Sequence, residues 1–143
     1  MNLVIDASVL IKFYVPEVLF DRAERLLAKV EKGDIELSAP DLIYPEVGNI
    51  LWKKNRLKEL THSEVEEITD AILSFPLKIE ASKPLLPLAL DIAIACGITV
   101  YDAIYVSLAK VYETAMMTAD RKLVDALVKT KLKDAITWLG SHK

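Results

Sequence analysis

The sequence predicts an α/β fold in which one mostly parallel sheet of about five strands carries helices on both faces. Short apolar segments alternate along the chain with longer amphipathic segments, a pattern typical of strand–helix–strand units in a parallel sheet. The chain has 143 residues, of which 52% are hydrophobic, so residues 1–143 are expected to form one domain with a sizeable core. Only 4 glycines and 6 prolines are present, which argues against disorder.

The first half of the chain predicts two strands and three helices. In chain order they are residues 3–6 (strand), 18–33 (helix, ending at Gly33), 35–39 (strand), 40–57 (helix) and 61–75 (helix). Pro45 is compatible with its helix because it falls near the first turn, where no backbone hydrogen bond is lost. Thr61 and Glu64 stand at the spacing of a capping box, which marks the start of the third helix.

The second half predicts three strands and three further helices. They are residues 77–80 (strand), 83–97 (helix), 100–113 (helix), 115–119 (strand), 120–129 (short helix) and 135–139 (strand). The helix over 83–97 is apolar nearly all round, so we expect it to be buried and to end at Gly97. Thr99 is the candidate cap of the next helix.

Leader and membrane signals are missing from the sequence. It has no run of about 18 uninterrupted apolar residues, the length that spans a membrane, and no basic N-terminal segment before an apolar stretch and cleavage site. The single cysteine, Cys96, cannot form an internal disulfide, and its apolar neighbours predict a core position. We therefore expect a cytoplasmic protein.

The formal net charge of −3 disfavours non-specific nucleic-acid binding, which depends on Lys and Arg contacts to phosphate. A nucleic-acid substrate would require the acidic charge to be concentrated in one place and offset by metal ions.

Four carboxylates stand beside apolar segments instead of on solvated faces. Asp6 and Asp120 end predicted strands, Asp102 lies in the first turn of a helix, and Glu46 has apolar neighbours on almost every side. If the first and fourth strands are adjacent, their carboxyl ends share one edge of the sheet, where ligand sites form in open α/β folds. The sequence therefore predicts that all four acids meet in one crevice.

Each acid also has a structural interpretation. Asp6 could be a helix N-cap, and Asp102 and Asp120 could interact with helix dipoles. Glu46 is harder to explain in this way, because Leu42 and Ile50, one turn before and after it, place it beside the buried face. A lone carboxylate there is costly.

A cluster of carboxylates predicts bound divalent cations, because the like charges otherwise repel one another. Ligand sets made only of oxygen suit Mg²⁺ or Mn²⁺. Two such cations about 4 Å apart can activate water and neutralise the attacking and leaving oxygens of a phosphodiester. No Ser-His-Asp order, P-loop or dinucleotide fingerprint suggests other chemistry, and His62 and His142 receive no role.

The four acids lie in segments that are spread over almost the whole chain: VIDASVLIKFYVPE (4–17), APDLIYPEVGNIL (39–51), TVYDAIYVSLA (99–109) and MMTADRKL (116–123). In this order they resemble the PIN-domain ribonucleases, in particular the VapC-type toxins of prokaryotic toxin–antitoxin pairs. The resemblance implies a three-layer α/β/α sandwich and Mg²⁺- or Mn²⁺-dependent endonucleolytic cleavage of single-stranded RNA. It also implies a homodimer and a small antitoxin partner.

The resemblance further assigns site residues. It implies that Asp6, Glu46, Asp102 and Asp120 bind the metal, and that the hydroxyls of Ser8 and Thr118 support the first and last acids. Ser8 could equally cap a helix, and Thr118 could be an ordinary strand residue.

Several cations and apolar side chains are candidates for contacts with RNA or with a second copy. Arg121 and Lys122 directly follow Asp120 and are the candidate RNA contacts. For Lys53, Lys54, Arg56 and Lys58, at the end of the Glu46 helix, we favour a solvated helix end. Possible stacking surfaces are Tyr14, Tyr44, Trp52, Tyr101 and Tyr105, most of which we expect in the core or an interface. An apolar patch for a dimer is predicted at Leu51, Trp52, Leu57 and Leu60.

Two other classes of protein are alternatives. A phosphoryl-transferring domain fits poorly: a haloacid-dehalogenase-type phosphatase needs a second aspartate where Ser8 stands, and a response-regulator receiver needs an acidic pair at the first strand and a phospho-acceptor aspartate at a later one. The first strand offers one acid, and residues 77–80 offer only Glu80. The other alternative is a PIN-like module that binds RNA or protein without cutting it.

Overall fold

A computed structural model describes residues 1–142, and these residues form a five-stranded, fully parallel sheet with the strand order β3-β2-β1-β4-β5. The strands are β1 (Asn2–Ile5), β2 (Glu36–Pro40), β3 (Lys78–Glu80), β4 (Met116–Thr118) and β5 (Ile136–Trp138). This confirms the predicted α/β fold and its parallel sheet.

The described residues also contain seven α-helices: α1 (Ala7–Leu10), α2 (Phe20–Glu31), α3 (Ile43–Arg56), α4 (His62–Ser74), α5 (Leu86–Cys96), α6 (Val100–Val111) and α7 (Arg121–Leu127). The predicted capping box of Thr61 and Glu64 begins α4, and the Thr99 side chain caps α6 by accepting from Asp102 N–H. Gly97 ends α5 with a φ of 69°, a conformation that glycine adopts without steric cost.

Strand β1 occupies the centre of the sheet, paired with β2 on one side and β4 on the other. The chain builds β2 and β3 on one side, then crosses over to build β4 and β5 on the other. The direction of winding therefore reverses between β1 and β4. In open α/β sheets a crevice forms at this point, outside the carboxyl ends of the strands.

The core lies on both sides of β1, where Val4 and Ile5 are fully buried. Helix α6 is the most buried helical segment, with every residue from 103 to 109 inside, and it contacts β1, β2 and β4. The sequence predicted burial instead for α5, and this was wrong. Ile94 is 81% exposed and Leu86 is 44% exposed. Helix α5 packs chiefly against α6, so only its inner side is covered.

Most element boundaries differ from the predicted ones by one to three residues, and the short helix α1 was not predicted. Three of the differences have a visible cause or affect a site residue. Strand β1 ends at Ile5, so Asp6 follows the strand instead of closing it. Helix α2 begins at Phe20, because Leu19 has a left-handed φ of 70°. Helix α3 begins at Ile43, because Pro40 is still paired with Glu80 of β3.

Two predicted burial states were also wrong. Cys96 is half-buried at the end of α5 instead of lying in the core. Leu51 is 3% exposed and belongs to the core, so it is not part of the predicted apolar patch, whereas Trp52 and Leu57 are exposed. Within residues 1–142, no single helix has the length and apolarity needed to cross a membrane. The segments Lys83–Cys96 and Val100–Val111 have that length and apolarity only when they are taken together, and the chain bends sharply between them.

Candidate functional site

A cavity of about 450 Å³ opens at the point where the sheet reverses direction. All four carboxylates that the sequence singled out lie in its wall: Asp6, Glu46, Asp102 and Asp120. The remaining wall residues are Ala7, Ser8, Leu42, Pro45, Asn49, Ile50, Tyr101 and Tyr105. The predicted convergence of the acids in one crevice is therefore observed.

Asp6 is held by hydrogen bonds on both carboxylate oxygens. Oδ1 accepts from Ser8 Oγ at 2.5 Å and from Val9 N–H at 3.2 Å, and Oδ2 accepts from Thr118 Oγ1 at 2.6 Å. The bond to Val9 makes Asp6 the N-cap of α1. Asp6 thus has the capping role that was its structural interpretation, and it also lines the cavity.

The hydroxyls of Ser8 and Thr118 tie the ends of β1 and β4 together. Ser8 Oγ accepts from Ala119 N–H at 3.0 Å, and Thr118 Oγ1 accepts from Asp120 N–H at 3.1 Å. Each hydroxyl donates to Asp6. Both side chains therefore support Asp6. Thr118 also contacts Asp120, by accepting from the backbone N–H of that residue.

Glu46 projects from the first part of α3 and is half-buried. Its Oε1 accepts a hydrogen bond of 2.5 Å from the hydroxyl of Tyr105. Tyr105 is only 1% exposed and belongs to α6. This bond explains how a carboxylate is tolerated beside the apolar face of α3, because a buried carboxylate needs a donor.

Asp102 lies in the first turn of α6, half-buried in the cavity wall. Its charge interacts unfavourably with those of Asp6, Glu46 and Asp120. Asp120 is directed by the start of α7, where its Oδ1 accepts from Lys122 N–H at 3.0 Å and Leu123 N–H at 3.4 Å. Four different elements therefore bring four negative charges to one place.

Burial raises the pKa of three of these acids. The pKa of Asp6 rises from 3.8 to about 6, although its hydrogen bonds to Ser8, Thr118 and Val9 act in the opposite direction. Burial and then the charge of Asp102 raise the pKa of Glu46, and burial and then the charge of Asp120 raise the pKa of Asp102. No Lys, Arg or His of the described residues lies in the cavity wall, so the wall itself supplies no cation to offset this charge.

The donor set fits Mg²⁺ or Mn²⁺, which prefer oxygen ligands. Among residues 1–142, no group of three or more His, Cys, Asp or Glu side chains stands close enough to hold one ion. Mg²⁺ usually takes only one or two carboxylates and keeps several waters. Four carboxylates around an open cavity are compatible with ions that each contact one or two of them and keep their waters. They do not form a closed protein cage around one ion.

The two predicted RNA contacts lie beside the cavity and not in its wall. Arg121 pairs with Asp125 at 3.4 Å, and its guanidinium lies 4.3 Å from the centre of the Trp138 ring. Lys122 is exposed in the first turn of α7.

The cations near the end of α3 have different surroundings. Lys54 pairs with Glu17 at 3.0 Å. Lys53 and Arg56 are exposed, and Arg56 lies 5.4 Å from the centre of the exposed Trp52 ring.

Sequence reasoning assigned no site role to Asn49, and it expected most of the aromatic residues in the core or an interface. Asn49, Tyr101 and Tyr105 nevertheless line the cavity. A signal for Tyr105 was available: it lies three residues after Asp102, and residues three or four apart share a helix face. Its bond to Glu46, which is 59 positions away, could not be read from spacing.

Comparisons with known proteins agree with this fold. The family model of the PIN domain matches residues 3–127. Ribonuclease VapC3 of Pyrobaculum aerophilum is 36% identical over 127 residues, which cover 87% of this chain and 94% of that protein.

Two crystal structures show the same architecture. PAE2754 of Pyrobaculum aerophilum is 26% identical, covers 99% of this chain and 85% of its own, and superposes with a TM-score of 0.71. VapC20 of Mycobacterium tuberculosis, a toxin described as cleaving the sarcin–ricin loop, is 14% identical with a TM-score of 0.66, covering 87% of this chain and 95% of its own. At 14% identity, the similarity to VapC20 shows a shared fold and nothing more.

Proposed function

The chain belongs to the PIN-domain family, and we propose that it is a Mg²⁺- or Mn²⁺-dependent endoribonuclease that cleaves single-stranded RNA as the toxin of a toxin–antitoxin pair. The observation that carries the proposal is the meeting of Asp6, Glu46, Asp102 and Asp120 in one cavity whose described wall contains no cationic side chain. The 36% identity to a VapC ribonuclease supports the same reaction class.

In this proposal the four acids hold the metal and the remaining protein positions them. A bound Mg²⁺ or Mn²⁺ supplies an activated water and neutralises charge on the phosphate oxygens. Asp6 is oriented by Ser8 and Thr118, and Asp120 by the backbone of α7. Asp102 lies where its charge is felt by the other three acids, so it is the residue best placed to serve more than one ion.

The RNA must be held by cations outside the acidic cavity. Arg121 and Lys122 begin α7 directly after Asp120 and are proposed to contact phosphates next to the cleavage point. Lys53 lies on α3 seven residues after Glu46, which is two turns along the same face and about 10 Å away. Trp52 and Arg56 flank it on the exposed side, so a base and a phosphate could be bound there.

A cognate antitoxin and a second copy of the chain are the proposed partners. Both follow from the resemblance to VapC-type toxins. Exposed apolar side chains at Trp52 (52%) and Leu57 (69%) offer surface that a partner could cover.

The proposed function is tested by incubating the protein with a mixed-sequence single-stranded RNA in Mg²⁺, in Mn²⁺ and in chelator, beside the Asp102→Asn variant. We expect cleavage only with metal, and a loss in the variant larger than the roughly 10- to 100-fold that follows removal of outer-shell groups at metal sites. Circular dichroism should show that the variant is folded.

Other outcomes would contradict the proposal. Equal cleavage by both proteins would indicate a contaminating nuclease. Binding of Mn²⁺ and RNA without cleavage by the wild type would assign the chain to the non-catalytic PIN-like modules.

A further inference from the structure

We propose that Tyr105 is the positioning residue for Glu46: its hydroxyl holds one carboxylate oxygen so that the other is presented to the metal site. This inference rests on the proposed metal-dependent function and adds a residue to its machinery. It stands on the 2.5 Å hydrogen bond from Tyr105 to Glu46 Oε1 and on the place of both residues in the cavity wall.

The hydrogen bond joins two different helices across the cavity wall. Glu46 lies on α3 and Tyr105 on α6. The Tyr105 ring is 1% exposed, so it is held by the same packing that holds α6 against the sheet. Glu46 is attached to the opposite wall by a flexible side chain, whose ordering costs conformational entropy. The rigid phenol therefore determines where the flexible carboxylate stands.

Such a restraint also acts against charge repulsion. The charges of Glu46 and Asp102 interact unfavourably, so repulsion disfavours the position of the Glu46 carboxylate while no cation is bound. A hydrogen bond from a hydroxyl to a carboxylate is charge-assisted and stronger than a neutral one. The Tyr105 hydroxyl thus keeps Glu46 in place before the metal arrives, which lowers the reorganisation that binding requires.

One carboxylate oxygen remains available for this role. Within residues 1–142, the side-chain donor to Glu46 is Tyr105, and its hydroxyl contacts Oε1. Oε2 is left to the cavity that Glu46 lines.

A purely structural role for Tyr105 makes a different prediction. A buried tyrosine hydroxyl generally finds some hydrogen-bond partner, and in a structural role Glu46 serves only to satisfy it. In that case removal of the hydroxyl would change stability and leave metal affinity as it was. Metal affinity, measured apart from activity, separates the two roles.

The test is the Tyr105→Phe variant, which removes one oxygen and keeps the ring that fills the core. We expect Mn²⁺ binding, measured by calorimetry without RNA, to weaken about 10-fold, the low end of the effect of outer-shell changes at metal sites. The Mn²⁺ concentration for half-maximal cleavage should rise by a similar factor. KM for RNA should stay constant, and excess Mn²⁺ should restore most of the rate.

Tyr112→Phe is the matched control. The Tyr112 hydroxyl also donates to a glutamate, Glu80, but neither residue lines the cavity. This variant loses the same chemical group from the same kind of pair, so it should bind Mn²⁺ like the wild type.

A double-mutant cycle with Glu46→Gln shows whether Tyr105 acts through Glu46. In the Glu46→Gln background, Tyr105→Phe should produce little further loss of Mn²⁺ affinity, because coupled residues are not additive. An additive loss would overturn the inference. Wild-type Mn²⁺ affinity in Tyr105→Phe, or an equal loss in Tyr112→Phe, would also overturn it.

The two proposals fail in distinguishable ways. A wild-type protein that neither binds Mn²⁺ nor cleaves RNA refutes the proposed function and the role of Tyr105 with it. A wild type that binds and cleaves, together with an unchanged Tyr105→Phe variant, refutes the role of Tyr105 alone.

Discussion

Asp6 keeps a charge in a place from which water is almost excluded, since it is only 8% exposed. Three hydrogen bonds partly compensate for the lost hydration, yet its pKa still rises to about 6 because burial is the largest influence. The ionised side chain therefore lowers the stability of the metal-free protein at neutral pH.

The sign of this effect gives a prediction for Asp6→Asn. The pKa of Asp6 is about 6 in the folded chain and about 3.9 unfolded, so its stability contribution is complete below pH 4 and is lost as the pH rises through 6. In chelator, Asp6→Asn should be more stable than the wild type at pH 7, by up to about 3 kcal/mol. Urea unfolding at pH 4, 5, 6 and 7 measures this.

The pH dependence is the control in this experiment. The gain should shrink to a small part of its neutral value at pH 4, where the aspartate is protonated in the folded state and about half protonated in the unfolded state. A gain of the same size at every pH would attribute the effect to packing instead of charge.

Thr118 is fully buried and serves two partners at once, Asp6 Oδ2 and Asp120 N–H. Thr118→Val keeps the shape and leaves both groups without the hydroxyl, so we expect a loss of about 1–3 kcal/mol in the free energy of unfolding. Chemical denaturation at pH 7 measures the change.

Ser107→Ala is a suitable comparison for Thr118→Val. Ser107 is also fully buried, but its hydroxyl donates to Ala103 C=O within the same helix, and that carbonyl keeps its backbone partner. This change should cost less than Thr118→Val. Equal losses would mean that the contacts of Thr118 to the acids contribute nothing special.

Helix α3 combines two chemical characters along one face. Near its start it brings Glu46 to the cavity, and near its end it carries Lys53 and Arg56 in the open. The helical period predicts that Lys53 lies on the same side as Glu46. Sequence reasoning favoured a solvated helix end for these cations, and the structure leaves Lys53 and Arg56 exposed.

This arrangement predicts the behaviour of the double variant Lys53→Ala/Arg56→Ala. KM for single-stranded RNA should rise while kcat stays constant, because the cations bind phosphate away from the reacting bond. The slope of log affinity against log salt concentration should become shallower by roughly 1.4, the value expected for the loss of two phosphate contacts on a single strand. Cleavage assays from low to moderate salt measure both effects.

Lys129→Ala/Lys131→Ala is the matched double variant. It removes the same charge from exposed positions beyond the end of α7, outside the cavity wall. It should leave KM and the salt dependence nearly unchanged. If both double variants behave alike, the effect belongs to net charge and not to the face of α3.

Helices α5 and α6 show why element identity was easier to predict than element burial. The capping residues Thr99 and Gly97 are local signals, and both were confirmed. The burial of α5 was inferred from its apolar composition, but composition does not say how many neighbours a helix will have. Because α6 occupies the sheet surface, α5 keeps an exposed apolar side.

The molecule as a whole concentrates acidic charge at one edge of its sheet. The net charge is only −3, yet four carboxylates from β1, α3, α6 and α7 or their ends line one cavity. Their repulsion opposes folding, so a divalent cation that binds only the folded state should stabilise the chain.

We therefore expect Mn²⁺ or Mg²⁺ to raise the melting temperature. At a concentration 100 times the dissociation constant, the stabilisation should approach about 2.7 kcal/mol. Chelator should reverse the shift, and Asp102→Asn should show a much smaller one. Differential scanning calorimetry of both proteins measures it, and an equal shift in the two would place the binding outside the cavity.

The sequence by itself determined the parallel α/β fold, most element positions and which four acids line the cavity. These depend on local information: hydrophobic period, caps, and a carboxylate placed next to a strand or among apolar residues. Only the tertiary structure decided that both hydroxyls converge on Asp6, that Tyr105 supports Glu46 and that α5 stays half-covered. Each of these depends on which elements pack together, and a hydrogen bond across 59 or 112 positions leaves no trace in local spacing.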